Sequence, residues 1–193
     1  MPILGLLASA ISGNLFAPSG AYDSIATVTI GSPAASSITF SSIPATYKHL
    51  QIRGITRNSA NVGTDDVQLR INADSGNNYT FHELYGQGSS AAIYAGVADN
   101  YMRISRSVAD ASFSANIFNA LVVDILDYAN TSKYKTVRTL YGTDGNGSGA
   151  VGLSSGLWIS TSAITSLTIY PYHVGSNNYA QYSSLALYGI KGA

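Results

Sequence analysis

The sequence predicts an all-β protein: an antiparallel β-sandwich, jelly-roll-like, with an apolar N-terminal arm. Three observations carry this expectation. From Tyr22 onward apolar and polar residues alternate with a period of two, as in a strand that buries one face. Turn-forming clusters of Gly, Pro, Asn and Asp interrupt the alternation at short intervals. The composition matches: 27 Ser, 14 Thr and 14 Tyr accompany a single Glu and four Lys in 193 residues, so good helix formers with charged side chains are scarce.

Taken in order, the first segment is Met1 to Phe16, MPILGLLASAISGNLF, followed by a loop-like Ala17-Pro18-Ser19-Gly20. A secretory signal needs basic residues at its start, and the first basic residue is Lys48. A membrane-spanning helix needs about 20 apolar residues, and Ser9, Ser12, Gly13 and Asn14 break the run. The remaining reading is an assembly arm, residues 1–21. Its Ile3, Leu4, Leu6, Leu7, Ile11, Leu15 and Phe16 would pack on a neighbouring subunit, because an apolar segment with no local partner must be buried elsewhere.

Residues 22–193 form one body of about ten short strands. Strand patterns run over Ile25–Ile30, Ser37–Phe40, His49–Arg53, Asp66–Asn72, Thr80–Tyr85, Ala92–Ala95 and Tyr101–Ser105. Val67, Leu69 and Ile71 face one way while Gln68 and Arg70 face the other, which is the period-two rule at its clearest. Phe118 to Tyr128 is apolar at both parities, and its β-branched Val122, Val123 and Ile125 favour a strand covered on both faces over a short helix. Lys135–Tyr141, Leu157–Ser160, Ser166–Tyr170 and Ser183–Ile190 complete the set. Pro171 marks the point where the chain leaves its strand. The absence of helix–strand alternation and of a fixed repeat argues for a sandwich over a parallel sheet, propeller or solenoid.

Charge excludes some functions. Ten basic and ten acidic residues give zero net charge, with no run of Lys or Arg, so the chain lacks the electrostatic footprint of a nucleic-acid binder. No side chain is charged between Gly145 and Ile190, apart from the option of His173. A neutral surface of that extent is easiest to explain if other subunits cover much of it. With no Cys there is no disulfide framework, thiolate zinc site or cysteine nucleophile.

Several motifs imitate chemistry. Gly147 to Gly152 matches a dinucleotide fingerprint, but that motif needs a following helix, and the next residues look strand-like. Gly152-Leu153-Ser154-Ser155-Gly156 matches a nucleophile elbow, but no Asp or Glu follows Asp144 to orient His173. Asp144 to Gly149 resembles half a calcium loop, with Ser155 where the bidentate carboxylate should stand. His49, His82 and His173 form no metal-binding pair. Asp65-Asp66 reads as a solvated loop edge, Asp124 and Asp127 point to opposite faces of a strand, and His82 and Glu83 do likewise. No enzyme constellation, metal or cofactor is expected.

The aromatic tail supports two readings. Trp158, Tyr170, Tyr172, His173, Asn177, Asn178, Tyr179 and Tyr182 lie in a Ser- and Asn-rich stretch. Flat rings among small polar groups suit recognition, here of a glycan. The same tyrosines also suit half-buried strand positions and subunit contacts.

Two further stretches carry a likeness. Phe40-Ser41-Ser42-Ile43-Pro44-Ala45-Thr46-Tyr47-Lys48-His49-Leu50-Gln51-Ile52-Arg53-Gly54 and Ser184-Leu185-Ala186-Leu187-Tyr188-Gly189-Ile190-Lys191-Gly192 resemble a loose group of tailed-bacteriophage virion structural proteins, often described as tail-fibre or virion surface proteins. Ile3 to Gly13 is similar to the leader of that group. The resemblance implies a β-sandwich in a phage particle, on a tail appendage or decorating the head. It would be attached to other virion proteins through the arm, as a homo-oligomer and most simply a homotrimer. It carries no catalytic residue, and neither nucleic acid nor membrane insertion is expected. The alternative function is a lectin-like module that binds a host surface glycan. Within the first stretch, Ile43-Pro44 should end a strand, Leu50 and Ile52 should enter the core, and Gly189 should let the last strand approach a neighbour closely.

Overall fold

The computed structural model describes residues 20–61, 65–172 and 177–192. The arm residues Ile3, Leu4, Leu6, Leu7, Ile11, Leu15 and Phe16, and also His173, lie outside the described residues. Twelve strands and no helix are found among those described. They are β1 (Tyr22–Thr29), β2 (Ile38–Phe40), β3 (His49–Thr56), β4 (Asp65–Ile71), β5 (Tyr79–Gln87) and β6 (Ser90–Asp99). The second half contributes β7 (Met102–Val108), β8 (Asn119–Leu126), β9 (Lys135–Asp144), β10 (Gly149–Trp158), β11 (Leu167–Pro171) and β12 (Ser184–Ile190).

The strands form two antiparallel sheets. The large one has eight strands in the order β1-β12-β3-β8-β9-β10-β5-β6, and the small one has four in the order β2-β11-β4-β7. Setting aside the hairpins β5–β6 and β9–β10 leaves β1-β12-β3-β8 facing β2-β11-β4-β7. That interleaving, with strands switching sheets along the chain, is the eight-stranded jelly roll. The two hairpins are insertions between β4 and β7 and between β8 and β11. They join each other through the β5–β10 pairing and extend the large sheet four strands past β8.

The core lies between the sheets. Leu50 and Ile52 of β3 are fully buried, as the alternation requires, together with Val67, Leu69 and Ile71 of β4 and Leu185 and Leu187 of β12. Ile43 is buried, but β2 ends at Phe40, so the Ile43-Pro44 step lies in the following loop and does not end the strand; the Pro44 carbonyl accepts the Tyr128 hydroxyl there. The close neighbour of Gly189 is Tyr47, since a Cβ there would lie 2.3 Å from that ring. Pro171 is the last residue of β11.

Phe118–Tyr128 resolves into strand β8, but with one covered face. Leu121, Val123 and Ile125 are buried, whereas Ala120 and Leu126 are exposed and Val122 is half-buried. Asp65 and Asp66 are the clearest departure from the sequence reading. They are not a solvated loop edge but the buried start of β4.

Candidate interaction face

The hairpin extension gives the large sheet an outer face with no partner strand or layer among the described residues. Strand register builds that face. Val122 of β8 is opposite Leu140 of β9, Leu140 is opposite Leu153 of β10, Leu153 is opposite Leu84 of β5, and Leu84 is opposite Ile93 of β6. Five adjacent strands therefore set an aliphatic row across the outside of the sheet, about 19 Å wide at the usual strand spacing. Leu140, Leu153 and Leu84 are about half exposed and Ile93 is 82% exposed. The row forms the floor of a shallow trough of about 970 Å³.

The flanks differ in character. One neighbouring row is small: Ala120, Gly142, Val151, Gly86 and Ala91 stand opposite one another in turn. The other is polar: Asp124, Arg138, Ser155 and His82. The margin beyond β6 is an open strand edge among the described residues. Its Ala91–Ala98 stretch carries no charge and no proline, the devices that protect an exposed edge from pairing. An exposed apolar row of this breadth, with a polar row along one side, is the usual mark of an interaction site.

Strand β10 shows how the sequence builds this face. Its first four inward residues, Ala150, Gly152, Ser154 and Gly156, are small, and the large Trp158 comes only at its end. Its outward residues include Val151 and Leu153. The interior is already full: a Cβ on Gly152 would lie 2.3 Å from the Tyr141 hydroxyl, and one on Gly156 would lie 2.2 Å from the Met102 sulfur. The usual inside-apolar rule is thus inverted, and the larger aliphatic side chains go outward.

Behind the row the same strands hold a buried ionic cluster. Tyr141 donates its hydroxyl to Glu83. Arg103 on β7 lies 3.6 Å from Glu83 through Nη1 and 2.9 Å from Asp66 through Nε. Its guanidinium sits 4.5 Å from the centre of the Tyr94 ring. Burial pushes the Asp66 carboxyl up to about 6, against the pull of Arg103. Burial and the Glu83 contact push the Tyr141 hydroxyl far above its ordinary value. The two acids share one arginine inside the body, and the cluster ties β4, β5, β7 and β9 together.

The motifs that imitate chemistry fall into plain strand geometry. Ser154 is mid-strand, faces inward and lies 3.3 Å from the Arg103 carbonyl. Asp144–Gly149 spans the β9–β10 turn, where Asp144 Oδ1 accepts the Asn146 amide at 2.8 Å. His82 points out and Glu83 in. Among the described residues no three His, Asp or Glu side chains gather to hold a metal.

The aromatic tail does not come together as one surface. Trp158 is buried and donates Nε1 to Asp74 at 2.8 Å. Tyr179 is fully buried and pairs by backbone with Ala35. Asn177 is buried, donates to Asp65 and accepts the Ala60 amide at 2.9 Å. Tyr170 is buried under Arg70, whose guanidinium is 5.1 Å from the ring centre. Exposed positions remain at Tyr172, Asn178 and Tyr182. Beside Tyr170 a hollow of about 230 Å³ is lined by Ser36, Ser37, Arg70, Ala73 and Thr168.

Compared with known protein families, curated proteins and solved structures, the chain matches none. Sequence reasoning missed the aliphatic row. The signals for it were the run Phe118–Tyr128, apolar at both parities, and the outward valine and leucine of β10, neither of which identifies a face until register aligns them.

Proposed function

We propose that the protein is a non-enzymatic structural subunit of a tailed-phage virion, a tail-appendage or head-decoration component that works as a homo-oligomer, most simply a trimer. The observation that carries the assembly part of this reading is the aligned row Val122, Leu140, Leu153, Leu84 and Ile93 on the outside of the large sheet. A lone domain in water has no use for it, whereas a subunit buries it against neighbours. The phage part rests on the resemblance of residues 40–54 and 184–192 to virion proteins. The jelly roll suits the role because it supplies a rigid body whose hairpins and loops can be specialised.

The test is location. Antibody raised against the body should label purified particles at fixed, symmetric positions, and a chain lacking residues 1–21 should fail to incorporate. Particles without the protein would overturn the phage reading.

A second reading, recognition of a host surface glycan, is favoured by the hydroxyl-rich hollow where Arg70 stacks on Tyr170. Arginine beside an aromatic face and several hydroxyls offers both stacking and hydrogen bonds to a sugar. Binding on a glycan array that Arg70→Ala and Tyr172→Ala abolish would support it, and an array with no signal would dismiss it.

A further inference from the structure

We infer that the trough on the large sheet is the socket for residues 3–16 of a neighbouring copy. The inference rests on the assembly reading, because the donor must stand beside the acceptor, and it adds the identity of the occupant. Four observations converge. First, the aliphatic row on five adjacent strands has no cover among the described residues, and its outward leucines replace the inward ones that β10 lacks. Second, residues 1–19 lie outside the described residues, and within them residues 3–16 supply the complement, with seven large apolar side chains and no charged one. Third, the length fits: fourteen residues span about 46 Å extended or about 21 Å as a helix, and either crosses a trough about 19 Å wide. In the adjoining row, Ala and Gly on either side of Val151 let a backbone approach the sheet closely.

Fourth, the direction of the chain selects a neighbour over the same copy. Ala21 still accepts the Lys191 amide at 3.0 Å, which continues the β1–β12 ladder. The chain therefore enters the body in line with β1. Tyr22 is opposite Ile190, and Ile190 is opposite His49, at the end of these strands. Val122 of the aliphatic row is level with Arg53, Ala186 and Thr27, further along β1 than Tyr22, so the chain enters β1 at the end away from its own trough.

The chain contains no cysteine, so introduced ones report without interference. Full-length copies carrying only Leu7→Cys, with one tag, are co-assembled with full-length copies carrying only Ile93→Cys, with another. Oxidation is expected to give a product with both tags, and Thr131→Cys, at an exposed position in the β8–β9 loop and off the aliphatic row, is expected to give none in place of Ile93→Cys. Leu153→Asp in the acceptor, outward-facing and confirmed folded by its thermal melt, should abolish the product, as should removal of residues 1–19 from the donor. Three results would overturn the inference: Ile93→Cys copies linking to each other, an assembled oligomer with no mixed-tag product, or linkage confined to single copies carrying both cysteines. A protein present in particles but without the mixed-tag product loses only the socket. A protein absent from particles that still gives the product loses only the phage reading.

Discussion

Asp66 lies in the interior with Arg103 on one side and Glu83 nearby, and its ionisation is linked to folding. Its carboxyl titrates near 6 in the folded protein against 3.8 when free, because burial outweighs the attraction of Arg103. Between those values the folded state holds a proton that the unfolded chain has released. This group's contribution to stability is therefore full below pH 3.8 and lost as pH rises through about 6. Asp127 acts in the opposite sense: hydrogen bonds from Lys133 and Lys48 hold it near 2, so its contribution is lost as pH falls below 3.8. Wild-type Tm should accordingly decline from about pH 4 to about pH 7 by an amount corresponding to roughly 1–3 kcal/mol. Asp66→Asn, which resembles the protonated acid, should flatten that decline, staying close to wild type near pH 4 and melting above it near pH 7. Thermal melts across this range decide the matter, and equal slopes in the two proteins would count against Asp66 as the titrating group.

Among the elements, β10 carries the clearest local consequence. Its inward glycine at 152 lets the Tyr141 hydroxyl pass and reach Glu83. Gly152→Val would push Tyr141 aside and leave a buried carboxylate short of a donor, at a combined cost of about 3 kcal/mol from overpacking and the lost bond. Val151→Ala, one residue away but outward, should change the stability of the isolated subunit by less than about 0.5 kcal/mol. Denaturant titration of both variants checks the contrast, and similar losses would mean that β10's faces are assigned the wrong way round. The same strand shows what sequence can reveal. Strands β3, β4 and β12 were legible because large apolar residues mark their inner face. The later half of β10 looked strand-like, but its first residues looked like a glycine turn, because here the inner face is small. That β5–β6 and β9–β10 are insertions was illegible, since β5–β10 pairing is non-local and leaves no local signal. The aromatic tail misled for a related reason. Asn177, Tyr179 and Trp158 have the composition of a recognition loop, but each is occupied by a partner far along the chain, among them Asp65, Ala35 and Asp74. Asp65 and Asp66 misled likewise, because Asn58, Asn177 and Arg103 become their neighbours only through the fold.

For the molecule as a whole, the uncharged stretch from Gly145 to Ile190 divides into two cases. Strands β11 and β12 are neutral because they lie within their sheets, paired on both sides. Strand β10 is also paired on both sides, but its outward Val151, Leu153 and Ser155 are exposed and uncharged, which the proposed assembly would account for. The two sheets and the core between them are built from the described residues, so the body is expected to fold without residues 1–19. A chain lacking residues 1–19 should melt cooperatively, within a few degrees of the intact subunit at matched dilution, and should show the same β-sheet circular dichroism. With no net charge to keep copies apart and the aliphatic row uncovered, that truncated body should associate non-specifically as concentration rises. Adding Leu84→Lys and Leu140→Lys, which flank Leu153 without being directly opposite each other, should suppress this association and leave the melt nearly unchanged, because both side chains point outward. Light scattering against concentration, run beside the melts, separates the outcomes. A truncated body that unfolds would place the arm inside the core, and one as soluble as the double-lysine variant would show that the row does not drive association.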